Sequence, residues 1–65
     1  MKITVNGEPK EIAASALADA LAELGYAGAR IATAVNETFV PAASRGDTIL
    51  TEGDRIEVLA PMQGG

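Results

Sequence analysis

Sixty-five residues carrying no cysteine, no histidine and a net charge of −4 describe one small domain that is held by neither disulfides nor an ordinary metal staple. A chain this short buries only about 60% of the surface its unfolded form exposes, which argues against a walled active site and so against a self-contained enzyme. After Ala34 five carboxylates outnumber two arginines, a balance that argues against neutralising phosphates and so against nucleic-acid binding; with no apolar run long enough for a signal peptide or a membrane span, a cytoplasmic protein is expected.

The opening stretch alternates apolar and polar residues, with Ile3 and Val5 on one face, up to Asn6-Gly7, a pair suited to the positive φ angles of a type I′ turn. This predicts antiparallel strands over residues 1–6 and 9–14. In the next segment Leu17, Ala20, Leu21 and Leu24 recur at helical spacing, with Ser15 as the expected N-cap and Gly25 in the left-handed position after the last turn. No glutamate follows Ser15 at the third position, so a capping box is missing.

Ile31, Thr33 and Val35 form one side of a β-branched strand, followed by a turn at Asn36 to Thr38 and a short return through Phe39 and Val40. Pro41 confines that return to a sheet edge. After an irregular stretch, a turn at Glu52-Gly53-Asp54 leads into a last strand with Ile56 and Val58 facing in and Arg55, Glu57 and Leu59 facing out. Strand, strand, helix, strand, strand, strand is an α+β layer pair in which one helix covers one sheet face and leaves the other open to solvent or a partner. Thirteen alanines and only two aromatics, Tyr26 and Phe39, leave small aliphatic side chains to form the core, where Thr33 stands at a position that a larger aliphatic side chain would fill better.

Three strings have familiar outlines and bland explanations. Asn36-Glu37-Thr38 matches a glycosylation acceptor but reads as a polar turn, and Arg45-Gly46-Asp47 spells the adhesion tripeptide but reads as a surface turn. Glu52, Asp54 and Glu57 form no metal site, because strand alternation separates Asp54 from Glu57 and no histidine joins them.

The terminal Gly64-Gly65 is a different matter. Residues without a Cβ admit close backbone approach from any side, which a narrow channel leading to a main-chain carboxylate requires. Pro61 ends strand pairing and favours an extended, projecting segment. An idle tail is the competing reading, and the preceding fold shifts the balance.

The strand order, the "TEGDRIEV" turn and final strand, "VNGE" in the first hairpin, "AVNETFVP" in the middle pair and the terminal "APMQGG" together resemble the ubiquitin-like β-grasp sulfur carriers, most closely the ThiS family. The likeness covers the whole chain. It implies a β-grasp domain over residues 1–61 and a flexible tail over 62–65. It also implies a protein co-substrate rather than a catalyst, with no catalytic residue, bound cofactor or metal of its own.

In that family an adenylating enzyme of the ThiF kind, using ATP and Mg²⁺, activates the terminal carboxylate. Sulfur then replaces AMP to give a thiocarboxylate, and a thiazole synthase of the ThiG kind takes the sulfur for thiamine. On this sequence the reactive group is the Gly65 carboxylate, and Gly64 and Gly65 are what the channel must pass.

For docking, the sheet face opposite the helix offers Phe39, Leu59 and Met62 as apolar anchors, although Phe39 reads equally as a core aromatic. The acidic C-terminal half would speed encounter with a basic enzyme surface. The alternatives are a carrier for molybdopterin synthesis or tRNA thiolation, and a β-grasp module that binds a partner without covalent chemistry.

Overall fold

In the computed structural model, which describes residues 1–27 and 30–60, strand β1 (Lys2–Val5) reverses at Asn6-Gly7 into β2 (Glu8–Glu11). Both turn residues take positive φ, 51° at Asn6 and 85° at Gly7, and the register closes Val5 onto Glu8 as the two-residue loop requires. The second strand ends at Glu11, short of the expected residue 14; one further rung follows, in which the Met1 amine donates to the Ile12 carbonyl at 2.8 Å and the Ile12 N–H to the Met1 carbonyl at 2.9 Å, and the Ile12 side chain is buried in the core. Every residue of β2 is exposed, and three of its four side chains are charged, which blunts the edge against pairing with another chain.

Helix α1 (Leu17–Glu23) begins one residue later than expected, with Ala16 at the N-cap and no side-chain cap. Ser15 is unavailable for that role. Its carbonyl accepts the Leu50 N–H at 2.8 Å, and Ala16 forms an isolated bridge with Ile49, so the chain is still extended where a cap would have to turn it. In place of a cap, the Leu17 N–H donates to the Thr48 carbonyl at 2.8 Å. The far end behaves as the sequence indicates. Gly25 sits at φ 97°, its N–H bonds the Ala22 carbonyl, and the Tyr26 N–H reaches back to the Leu21 carbonyl, the paired bonds of a Schellman stop.

β3 (Ala32–Val35) turns at Asn36-Glu37 into β4 (Thr38–Val40), and the stretch read as irregular contains a 3₁₀ helix (Ala42–Asp47) before β5 (Arg55–Leu59). The sheet order is β2-β1-β5-β3-β4, with β1 and β5 parallel at the centre and the other pairs antiparallel. β4 is an edge strand, as Pro41 demands.

Glu37 holds φ at 73°, a left-handed conformation that costs a side-chain-bearing residue energy, and its contact with Arg55 at 4.0 Å is exposed and weak. Replacing Glu37 by Gly is expected to raise unfolding stability by about 1 kcal/mol in a urea titration. A loss of stability would show that the hairpin is held by the side chain and not limited by the turn.

One sheet face meets α1. Ile3, Val5, Ile56, Val58 and Val40 from the strands pack with Leu17, Ala20 and Leu21 of the helix and with Ile12 and Leu50 from the connections. Thr33, also on this face and 2% exposed, is not the packing defect its sequence context suggests. Its hydroxyl donates to the Val40 carbonyl at 2.9 Å and accepts from Arg45 Nε at 3.0 Å, while Arg45 Nη2 donates to the Ile31 carbonyl at 2.6 Å. Thr33 therefore joins the 3₁₀ helix to the β3–β4 hairpin. Thr33→Val keeps the shape but orphans a guanidinium donor, and about 2 kcal/mol of stability should be lost by chemical denaturation; an unchanged midpoint would mean that Arg45 finds another acceptor at no cost.

Candidate functional site

The outer sheet face takes its shape from which residues partner one another. Antiparallel partners project to the same side, so the register Glu57↔Ala34↔Phe39 sets one row across three strands and Leu59↔Ala32 sets a second beside it. Phe39 is 65% exposed and Leu59 72% exposed. Two alanines stand between them with nothing beyond a methyl group, so the large side chains become the walls of a shallow groove of about 390 Å³, bordered by Asn6 and Glu57. Phe39 thus lies outside the core, on the same face as Leu59. An exposed aromatic and an exposed leucine flanking an open groove make an apolar surface of the kind that proteins cover with a partner.

Alternation places Lys2 and Thr4 of β1 and Arg55 of β5 on the same outer side, so the groove sits at one end of a face that elsewhere is polar. The three carboxylates Glu52, Asp54 and Glu57 are placed apart, and Glu57 alone borders the groove. Glu52 accepts the Lys2 N–H with both oxygens at 3.2 Å, capping the start of β1. Asp54 closes its turn by accepting the Thr51 N–H at 2.8 Å and the Asn36 side-chain amide at 3.0 Å. The Thr51 N–H foremost, then the Asn36 amide, hold the Asp54 carboxyl below the usual carboxylate range against a smaller opposing effect of burial. Glu57 projects from the outer face. Among the described residues no group of three or more metal-ligating side chains comes together.

Arg45, the first residue of the adhesion-like string, points inward to Thr33 and Ile31, so the tripeptide is not displayed as such. Asn36-Glu37-Thr38 is the β3–β4 turn and the start of β4.

Two asparagines have duties that sequence reading assigned only to turns. Asn6 Nδ2 donates to the Val58 carbonyl at 3.1 Å and Asn6 Oδ1 accepts the Val58 N–H at 2.9 Å. Asn36 Oδ1 likewise accepts the Arg55 N–H at 3.0 Å while its own backbone N–H donates to the Arg55 carbonyl at 2.7 Å. The two hairpin turns hold the two ends of β5. The strand bearing the C-terminal segment is thereby fixed at both ends. Pro61, Met62, Gly64 and Gly65 lie outside the described residues.

Residues 3–65 match the model of the ThiS family. This chain belongs to the ThiS family. It is 35% identical over 63 residues to the sulfur carrier protein ThiS of Thermus thermophilus, covering 97% of this chain and 98% of that one. It is also 35% identical over 66 residues to a thiazole synthase of Paramagnetospirillum magneticum, where the whole of this chain corresponds to only 20% of the longer protein. The crystal structure of a thiamine biosynthesis protein, ThiS, from Geobacter metallireducens superposes with a TM-score of 0.83 at 28% identity, covering all of both chains. A solution structure of a thiamine biosynthesis protein from the same organism gives 0.79 at 26% identity, over all of this chain and 88% of that one.

The mixed five-stranded sheet with one helix on one face is therefore the ubiquitin-like β-grasp of ThiS. Among the described residues no helix is long and apolar enough to cross a membrane.

Proposed function

We propose that this chain is a sulfur carrier of thiamine biosynthesis, acted on by other proteins in the cytoplasm and catalysing nothing itself. The observation that carries this reading is that the family match runs through residue 65, so Gly64-Gly65 lies inside it. Residues 1–61 serve as the folded handle and 62–65 as the working tail.

The Gly65 α-carboxylate is the group that reacts. An ionised carboxylate near neutral pH is a poor electrophile, and a chain without cysteine, histidine or a nucleotide-binding loop has no means to activate it. A ThiF-like activating enzyme supplies ATP and Mg²⁺. The carboxylate attacks the α-phosphate and releases pyrophosphate, and sulfur delivered as hydrosulfide then displaces AMP to leave the thiocarboxylate. Gly64 and Gly65 let the backbone pass a narrow channel on the way.

The consumer of the sulfur is a ThiG-like thiazole synthase. That assignment is supported by the Paramagnetospirillum protein, a thiazole synthase containing a stretch similar to this whole chain.

Docking uses the outer face, with Phe39 and Leu59 as anchors and Met62, three positions after Leu59 in the sequence, as the third apolar candidate. Glu57 in the same row favours a partner that is basic there. Leu59→Asp is expected to weaken binding to the activating enzyme by roughly thirtyfold, the effect of losing about 2 kcal/mol at an interface centre. The melting temperature should not move, because Leu59 is exposed. Equal affinity for both proteins in a titration would remove Leu59 from the interface.

Intact mass decides the function. Protein isolated from cells that produce a thiamine-pathway activating enzyme should be heavier than protein isolated without it, by the difference between sulfur and oxygen, with the gain mapping to Gly65. An unchanged mass with that enzyme and a gain with a molybdopterin-type or tRNA-thiolation enzyme would reassign the pathway. No gain with any of them would leave a binding module.

A further inference from the structure

The tail leaves the domain from β5, and the two edges of that strand are held differently near its end. On the β3 side, pairing continues to Ala32↔Leu59. On the β1 side, the parallel pairing runs only through Thr4↔Arg55 and Val5↔Ile56, because the chain turns away at Asn6-Gly7. The next rung is made by one residue. The Asn6 N–H donates to the Ile56 carbonyl at 2.9 Å, and its side-chain amide, which carries one donor face and one acceptor like a peptide group, closes on both the carbonyl and the N–H of Val58. Val58 would otherwise present two bare backbone groups on that edge.

We propose that Asn6 is a positioning residue for sulfur loading. By extending the β1–β5 ladder to Val58, it fixes the point and direction from which the tail sets out; this rests on the carrier reading above. The reacting carboxylate at Gly65 is seven residues beyond Val58, so the length of chain that is free to wander is set by where the strand stops being held. A strand end held on one edge only frays, and each added mobile residue raises the entropy that must be surrendered when the tail enters the enzyme's channel. Asn6 limits that loss before the enzyme is met. It touches no reacting atom.

Asn36 supplies a matched comparison within the same strand. Its side chain clamps the Arg55 N–H at the opposite end of β5, and it too sits at positive φ, 50° against 51° for Asn6. Glycine is comfortable at that angle, so Asn6→Gly and Asn36→Gly each remove a side-chain clamp while keeping the turn.

The experiment uses both full-length variants, amide hydrogen exchange, and steady-state thiocarboxylate formation by the thiamine-pathway activating enzyme. Asn6→Gly should raise KM about three- to tenfold with kcat within about twofold, the range expected for one or two lost hydrogen bonds. Exchange should quicken at Val58 while Ile3 and Leu17 stay protected. Asn36→Gly should lose comparable stability yet leave KM unchanged, and Asn6→Asp, which keeps the acceptor and loses the donor, should fall between wild type and Asn6→Gly.

A wild-type KM in Asn6→Gly would overturn the inference. So would an equal rise in both glycine variants, or faster exchange throughout the sheet, since either would mean that stability and not position is at issue. Failure of the wild-type protein itself to accept sulfur would instead overturn the carrier reading, and the inference with it.

Discussion

A chain lacking Gly64 and Gly65 is expected to fold with an unchanged melting temperature and to accept no sulfur. The first half follows from the core, whose buried residues, among those described, lie between Ile3 and Val58. The second follows from geometry. Removing two residues draws the carboxylate back by about 7 Å of extended chain and puts Gln63, a residue with a Cβ and a long polar side chain, where the proposed channel would admit backbone only. Misplacement on a far smaller scale already costs about a hundredfold in rate, so loading should fall below detection by intact mass. Thiocarboxylate appearing on Gln63 would show that the enzyme recognises a free C-terminus regardless of residue, and the diglycine would lose its assigned purpose.

Ile56→Ala should be the most damaging single change to the fold. Ile56 is 1% exposed, lies on the central strand, and has Val5 on one side and Val35 on the other as register partners. Truncating a buried isoleucine removes transfer energy and leaves a cavity, together about 3–4 kcal/mol. A domain of this length has only about 3–10 kcal/mol of stability in total. Denaturant titration should therefore show the midpoint lowered by about a third or more of its wild-type value, and because β5 carries the tail, sulfur loading should fall with the folded fraction. A loss below about 1 kcal/mol would mean that the helix layer settles into the gap, contrary to the limited relaxation usual in close-packed cores.

These two changes act on features that differ in how visible they are in the sequence. The diglycine and the alternation of Ile56 and Val58 are plain from adjacent residues. Thr33 shows the limit of such reading. Its neighbours make it look like a poor aliphatic, whereas its hydroxyl is engaged by Arg45, whose approach depends on a 3₁₀ helix that no periodicity announces. Ser15 fails as a cap for a related reason, since Leu50 and Ile49, remote in the chain, keep that segment extended. Glu23, an ordinary helix residue in the sequence, accepts the N–H groups of Ala13 and Ala14 at 3.0–3.1 Å and so ties the end of the helix to its own approach.

What the sequence by itself determined is whatever neighbouring residues decide: the two asparagine-led turns, the alternating faces of the strands, the glycine that stops the helix, the edge imposed by Pro41, and a C-terminal pair without side chains. These depend on backbone φ preferences and on periods of two and 3.6 residues, which act over a few positions. The tertiary structure alone decided that β1 and β5 pair in parallel at the centre, that two alanines leave a groove between Phe39 and Leu59, and that the Asn6 amide closes on Val58. The last of these spans 52 positions. Such contacts form only once collapse of the core has brought distant segments together, and no local preference of either residue encodes its partner.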